Sequence, residues 1–171
     1  RKTDKGIPRY DASDTFVLSG AEDLVAQTAE PVERTIGATT YRVTRYRPRT
    51  EGTFARIELW AAGTGETHWR VWSKSNVLEI FGASPEARVT DPTEKSHVFL
   101  WLLEERRDDR GNVVVYSYKQ EDGAGLDRNR PNEVNRFAGP KKDTYLPTAQ
   151  RYLKRILYGN RTAHLDRNAS P

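Results

Sequence analysis

Residues 98–119 read Val-Phe-Leu-Trp-Leu-Leu-Glu-Glu-Arg-Arg-Asp-Asp-Arg-Gly-Asn-Val-Val-Val-Tyr-Ser-Tyr-Lys. An apolar run meets a polar turn at Asp108-Asp109-Arg110-Gly111, and a β-branched run with alternating tyrosines follows. Asp, Asn and Gly tolerate turn geometry, and Val and Tyr suit a pleated, half-buried surface. The spacing predicts an antiparallel hairpin in which Val113 to Lys119 pairs with Phe99 to Arg106. Periodicity alone leaves Phe99 to Arg106 open between helix and strand, and the turn that follows favours the hairpin. A second stretch, Arg151-Tyr-Leu-Lys-Arg-Ile-Leu-Tyr-Gly-Asn160, supplies a last strand over Tyr152 to Tyr158.

Upstream, the same period of two recurs. Tyr41 to Arg47 alternates β formers with Arg. Phe54 to Ala61 sets Phe54, Arg56, Glu58 and Trp60 against Ala55, Ile57 and Leu59. A turn at Gly63-Thr64-Gly65 leads into Thr67 to Ser73, with Trp69 and Val71 on one face and Arg70 and Trp72 on the other. Lys74-Ser75-Asn76 turns again, and Val77 to Phe81 returns. These segments predict a meander of short strands. Asp14 to Leu18 reads as a further strand. Ala21 to Ile36 is ambiguous, and Pro31 stops any helix there. Ala83 to Ser96 carries Pro85 and Pro92 and is expected to be an irregular connection. Residues 1–10 read as a linker or an extended arm, with Gly6 and Pro8 blocking regular structure. The Gly-, Pro- and Asn-rich segment 120–150 is expected to be a long loop or insertion, with a short helix near Glu133 to Phe137. Residues 163–171 read as a tail. The fold class is therefore mainly β, antiparallel hairpins and a meander with little helix, in a single domain over 1–171.

A chain of 171 residues with 36% hydrophobic and 30% charged residues, four Trp and eight Tyr, is polar yet too aromatic to be disordered. Its net charge of +4 comes from scattered Arg interleaved with Asp and Glu. There are no cysteines, which excludes disulfides and thiolate metal sites. No apolar run approaches the ~20 residues that span a bilayer, and the charged start is unlike a signal peptide. The chain contains no methionine, so we expect it to be a segment of a longer protein.

Catalytic patterns are absent. No Glu-x-Glu pair of the kind an ADP-ribosyltransferase needs occurs; Glu104 and Glu105 are adjacent. His68, His97 and His164 stand apart, without metal-ligand spacing. Asp108 and Asp109 lack the alternating oxygen ligands of a calcium loop. No Gly-x-Ser-x-Gly elbow or phosphate loop is present. We therefore assign no catalytic, metal or cofactor residues. Arg42, Arg45, Arg47 and Arg49, with Tyr41 and Tyr46, are the best nucleic-acid candidates, because Arg and aromatics together hold phosphates and bases. A solvated sheet face, with Arg stems over aromatic surface, accounts for them better. Trp60, Trp69, Trp72 and Trp101 are expected to form one core or interface cluster. The candidate partner-contact residues are Arg45, Arg47, Trp60, Trp72, Trp101 and Tyr158.

Several segments together resemble a known family. They are Gly6-Ile-Pro-Arg-Tyr-Asp11, Asp14-Thr-Phe-Val-Leu-Ser-Gly-Ala-Glu-Asp-Leu-Val25 and Tyr46-Arg-Pro-Arg-Thr-Glu-Gly-Thr-Phe-Ala-Arg-Ile-Glu58. Trp69-Arg-Val-Trp-Ser-Lys74, Arg88-Val-Thr-Asp-Pro92, Asp109-Arg-Gly-Asn112 and Arg151 to Asn160 continue in the same order. The chain is similar to the N-terminal domain of the Salmonella virulence plasmid B protein family, which also opens the B subunit of insecticidal toxin complexes. Gly111 to Tyr118 echoes the Tyr-Asp repeat, with Lys119 where that repeat has Asp. The resemblance implies a non-catalytic piece of a secreted toxin, a wall segment of a hollow coiled β-shell that encloses toxic cargo. It implies three partners: the rest of the B subunit, the C subunit with its cargo and, indirectly, the pore-forming A subunit. It implies no membrane contact and no cofactor. The family's ADP-ribosyltransferase activity and its cargo-releasing self-cleavage belong to other domains or subunits. The competing reading is a free-standing basic β-domain that binds nucleic acid or carbohydrate through Arg and Trp or Tyr. A shell wall further predicts open strand edges, or exposed apolar patches near Trp60, Trp72 or Tyr158.

Overall fold

Alternating apolar and charged residues at period two give each strand two distinct faces, and the molecule is assembled from that alternation. The structure, a computed structural model, describes every residue except 4–5, 19–21, 28–29, 51, 53, 128, 139–143, 147, 167 and 169–171. In chain order its strands are β1 (Phe16–Leu18), β2 (Glu22–Ala26), β3 (Val32–Ile36), β4 (Thr39–Pro48), β5 (Arg56–Ala62), β6 (Thr67–Trp72) and β7 (Leu78–Phe81). They continue as β8 (Arg88–Thr90), β9 (Val98–Trp101), β10 (Leu103–Arg107), β11 (Val113–Gln120), β12 (Phe137–Ala138), β13 (Thr144–Tyr145) and β14 (Arg151–Leu157). The helical elements among the described residues are two 3-10 turns, Pro85–Ala87 and Val134–Arg136. The fold is thus mainly β and antiparallel throughout, as the sequence predicts.

One sheet carries ten strands in the order β1-β2-β4-β5-β6-β7-β10-β11-β14, with β3 paired to β4. Two strands share one edge of β4: β2 lies along Tyr46 to Pro48 and β3 along Thr39 to Val43. The ambiguous stretch 21–36 supplies both. Strands β12 and β13 form a small ribbon within 120–150, and β8 and β9 form another.

The predicted hairpin is present over part of its length. Glu105 faces Val115, Arg106 faces Val114 and Arg107 faces Val113. Asp108 Oδ1 accepts from the amides of Arg110 and Asn112 at 2.9 and 2.8 Å, which closes the turn. The stretch Phe99 to Arg106 is not one strand, however. It divides at Leu102, whose N–H donates to Ala87 O (2.8 Å) and whose carbonyl accepts from Gly82 N (2.9 Å). Gly82 has φ +66°, and a Cβ there would lie 2.5 Å from Trp101 Cδ1. The chain therefore passes Trp101 over a bare backbone and leaves the main sheet as β9. Its partner β8 lies inside the segment 83–96, which was expected to be irregular. Pro85 opens a 3-10 turn there, and three residues between the prolines are enough for a short strand.

The main apolar cluster lies on one face of the main sheet, and Val43, Trp60, Leu78, Ile80 and Val113 are buried on the other. Leu24, Ile57, Trp69, Val71, Val98 and Trp101 pack together with Phe16, Tyr46 and Phe81. Trp69 takes Phe16 and Tyr46 edge-on, each at 5.0 Å between ring centroids. That geometry is favourable beyond the area it buries. The N-terminal arm is part of this layer. Lys2 pairs with Thr15, and the Arg1 guanidinium lies 5.1 Å above Phe16 and 5.6 Å above Trp101.

Candidate interaction surfaces

The alternation that buries Ile57, Trp69 and Val71 on the core face sends Arg45, Arg56, Glu58, Trp60, His68, Arg70 and Trp72 to the opposite face. Register then brings charges side by side: Arg45 faces Glu58, and Glu58 faces Arg70. Glu58 is fully buried. Its Oε2 accepts from Trp60 Nε1 at 3.1 Å. Its Oε1 accepts no hydrogen bond and lies 3.6 Å from Arg56, 3.7 Å from Arg45 and 3.8 Å from Arg34. These are ion-pair distances beyond hydrogen-bond length.

Beside this cluster, the buried Arg70 guanidinium lies 4.2 Å from the Trp60 ring centroid and donates through Nε to His68 Nε2 at 3.2 Å. His68 accepts that bond as a neutral ring. Burial first, then Arg70 and Arg88, lower its pKa from 6.5 to about 3. Burial likewise lowers the Arg70 pKa to about 10. Further across the face, buried Arg107 pairs with Glu105 and reaches His164 Nε2 and the Asp166 carbonyl.

The C-terminal segment, read from sequence as a tail from residue 163, lies over this charged face. His164 N donates to Gly111 O at 2.9 Å, and Asn160 accepts from Val113 N at 3.0 Å. Arg70 reaches Asn168 Oδ1 at 3.3 Å. Gly111 has φ +85°, and a Cβ there would meet His164 N at 2.8 Å. The hairpin turn thus needs glycine both for its own geometry and for the close approach of the tail.

The six candidate contact residues do not form one site. Arg45 and Arg47 are exposed on β4, facing away from the core. Trp60, buried, and Trp72, half-buried, lie on the charged face, whereas Trp101 is buried in the apolar core. The expected four-tryptophan cluster is therefore divided, Trp69 with Trp101 on one face and Trp60 and Trp72 on the other. Period two allows nothing else, because Trp69 and Trp72 are an odd number of positions apart on one strand. Tyr158 is 81% exposed just beyond β14. Along β14, Tyr152, Leu153, Ile156 and Leu157 are each about half exposed, and β11 is its partner in the sheet. The expected open apolar edge is present there and not at Trp60. Sequence reading missed Arg34, Arg56, Glu58, Arg70 and Arg107. A carboxylate within the alternating strand Arg56-Ile-Glu58-Leu-Trp60 was the available signal.

Among the described residues no group of three or more His, Asp or Glu side chains is placed to hold a metal. No helix there is long and apolar enough to cross a membrane, which leaves strands unaddressed.

An antiparallel sheet with one aromatic-rich apolar face, one face of mixed ionic and apolar residues and an exposed apolar edge strand defines a β module. Residues 1–170 match the family of the Salmonella virulence plasmid 65kDa B protein, SpvB, and the chain belongs to that family. It is 34% identical to the mono(ADP-ribosyl)transferase SpvB of Salmonella typhimurium, over 97% of this chain and 28% of that protein. The chain thus spans under a third of that relative. The N-terminal domain of effector protein SpvB from Salmonella typhimurium strain LT2 superposes with a TM-score of 0.83 at 32% identity, over 97% of this chain and 52% of that domain structure. The TcdB2-TccC3-Cdc42 crystal structure matches over 96% of this chain and 8% of the matched chain, with a TM-score of 0.79 and 32% identity. The chain is accordingly similar both to the N-terminal domain of a virulence effector and to part of a toxin complex.

Proposed function

We propose that this chain is a non-catalytic structural part of the B component of a secreted bacterial toxin complex. In this reading it forms one wall segment of a hollow β-shell that encloses toxic cargo until delivery. Its partners are the rest of the B component, the C component that carries the cargo and, indirectly, the pore-forming A component. The observation that carries the reading is the shared fold with a toxin-complex chain over 96% of the length at 32% identity. The physics is compatible. A shell wall needs twisted antiparallel strands, a wettable ionic face and an edge on which further strands can continue.

Co-expression tests it. The full-length protein containing this chain, produced with the companion component of its toxin complex, should elute with that component as one stable species. A full-length protein that stays separate from its companion, or a chain that turns over NAD or ADP-ribosylates a substrate, overturns the reading.

A further inference from the structure

Two open grooves flank Phe54, one among residues of the charged face and the other also lined by Tyr46 and Ile57 of the apolar cluster. One, of about 400 Å³, is lined by Arg34, Arg56 and Trp72 with Phe54. The other, of about 440 Å³, is lined by Arg45, Arg47 and Arg56, again with Phe54. None of the described lining residues is Asp or Glu. Glu58, fully buried, lies within ion-pair distance of three of these arginines, Arg34, Arg45 and Arg56. The side chains of Arg34, Arg45 and Arg56 remain 38%, 54% and 46% exposed. Among the described residues, exposed guanidinium groups around Phe54 therefore outnumber carboxylates.

Phe54 itself is 64% exposed and has φ +48°, a left-handed conformation that bulky residues rarely adopt. Such local strain clusters at clamps and contact sites, and an aromatic flanked by arginines is the usual composition of an interface anchor. We propose that the grooves on either side of Phe54 form a docking surface for an acidic polypeptide segment of another component of the assembly. The proposal rests on the assembly reading above and names the chemistry of the partner. Guanidinium groups hold carboxylates in pairs of parallel hydrogen bonds, which Arg34, Arg45 and Arg47 in the two grooves are placed to do.

Ring coverage argues for a polypeptide over a nucleic acid. Sequence-tolerant nucleic-acid binding depends on aromatic faces open to bases. Here Arg56 lies 3.8 Å over Trp72, and Lys74 Nζ lies 4.2 Å over Phe54. These rings already have cations on them, so what the surface offers is charge and an apolar ridge.

The test uses a fluorescein-labelled oligo-glutamate peptide carrying one tyrosine, titrated by polarisation at low and at physiological salt. Binding should weaken as salt rises. The double variant Arg45→Gln/Arg47→Gln should lose about tenfold in affinity. Phe54→Gly, which suits the positive φ and spares the fold, should also weaken binding, and Arg155→Gln on β14 should not change it. Undiminished binding by the groove variants, no binding by the unmutated chain, or tighter binding of a single-stranded oligonucleotide of equal charge overturns the proposal. Co-purification of full-length protein with its companion separates the two readings. If the Arg45→Gln/Arg47→Gln protein assembles normally, the groove is not the docking surface and the assembly reading stands. If the unmutated protein does not assemble, the assembly reading falls and this inference with it.

Discussion

The two faces of the central strands are closed to solvent to a similar degree, but one packs an aromatic and aliphatic cluster, whereas the other sets buried charges among Val43, Trp60, Leu78, Ile80 and Val113. Trp69 and Val71 are 6% and 8% exposed on one side of β6, and His68 and Arg70 are each 6% exposed on the other. The first pair is surrounded by Phe16, Tyr46, Ile57 and Trp101, whose contacts are non-directional. The second depends on defined partners: Nε of Arg70 on His68, its guanidinium over Trp60, and Asn168 from the C-terminal segment. An apolar face tolerates small shifts but not lost volume. An ionic face tolerates neither a lost partner nor a gained proton, because a buried charge without compensation is expensive. The two faces should therefore fail in different ways.

Lost volume should strike hardest on the apolar face. Trp69→Ala removes the ring that Phe16, Tyr46 and Trp101 all pack against. We expect a loss of about 3–5 kcal/mol in urea denaturation, nearly independent of pH. A loss below about 1 kcal/mol would mean that the aromatic cluster is loosely packed. Arg-to-Gln changes at the exposed edge of the ionic face, where solvent screens the charges, should cost far less.

A gained proton should strike the other face. In the folded chain the His68 pKa is depressed to about 3 from 6.5. At neutral pH the ring is unprotonated in both folded and unfolded chains, so it contributes nothing to pH dependence. As pH falls below about 6.5 the unfolded chain takes up the proton and the folded chain does not, so stability declines toward about pH 3. By about pH 5 the expected loss is about 2 kcal/mol. Thermal melts at the two pH values, with His68→Gln alongside, check this. His68→Gln should flatten the decline, and an equally steep decline in the variant would place the acid sensitivity elsewhere.

How much of this contrast was legible depends on the range of the forces involved. The period-two reading placed Ile57 and Leu59 opposite Arg56, Glu58 and Trp60 correctly, because strand alternation is a local property of the backbone. Asp108 to Gly111 fixed the hairpin for the same reason. The break at Leu102 was hidden, since its cause is a pair of hydrogen bonds to Gly82 and Ala87, distant in sequence. Strand β8 was masked by the flanking Pro85 and Pro92, which signal irregularity without forbidding three extended residues between them. The packing of Arg1 over Phe16 and Trp101, and the docking of His164 on Gly111, are long-range contacts of polar residues that composition assigns to solvent. The arginine-lined grooves became visible only when register set Arg34, Arg45 and Arg56 around Glu58. Each of these residues alone reads as a solvated strand position.

The smallest effect on stability, and the most telling about assembly, should come from the uncovered edge. Strand β14 pairs with β11 from Val115 to Gln120; Tyr152, Leu153, Ile156 and Leu157 stay about half exposed along it, and Tyr158 just beyond it is 81% exposed. An exposed apolar strand edge is a template for further pairing, so the isolated chain should self-associate as its concentration rises in sedimentation velocity. Ile156→Lys puts a charge where an incoming strand would lie and removes little that is buried. It should change folding stability by less than about 0.5 kcal/mol while shifting the chain toward monomer. The β1 edge, at the other end of the sheet, provides the contrast: Phe16 and Leu18 pack against the core, so Phe16→Lys should unfold the chain and leave no assembly to measure. A chain that stays monomeric at high concentration without any substitution would remove the case for β14 as the continuing edge. The arginine-lined surface would then have to carry association with partners by itself.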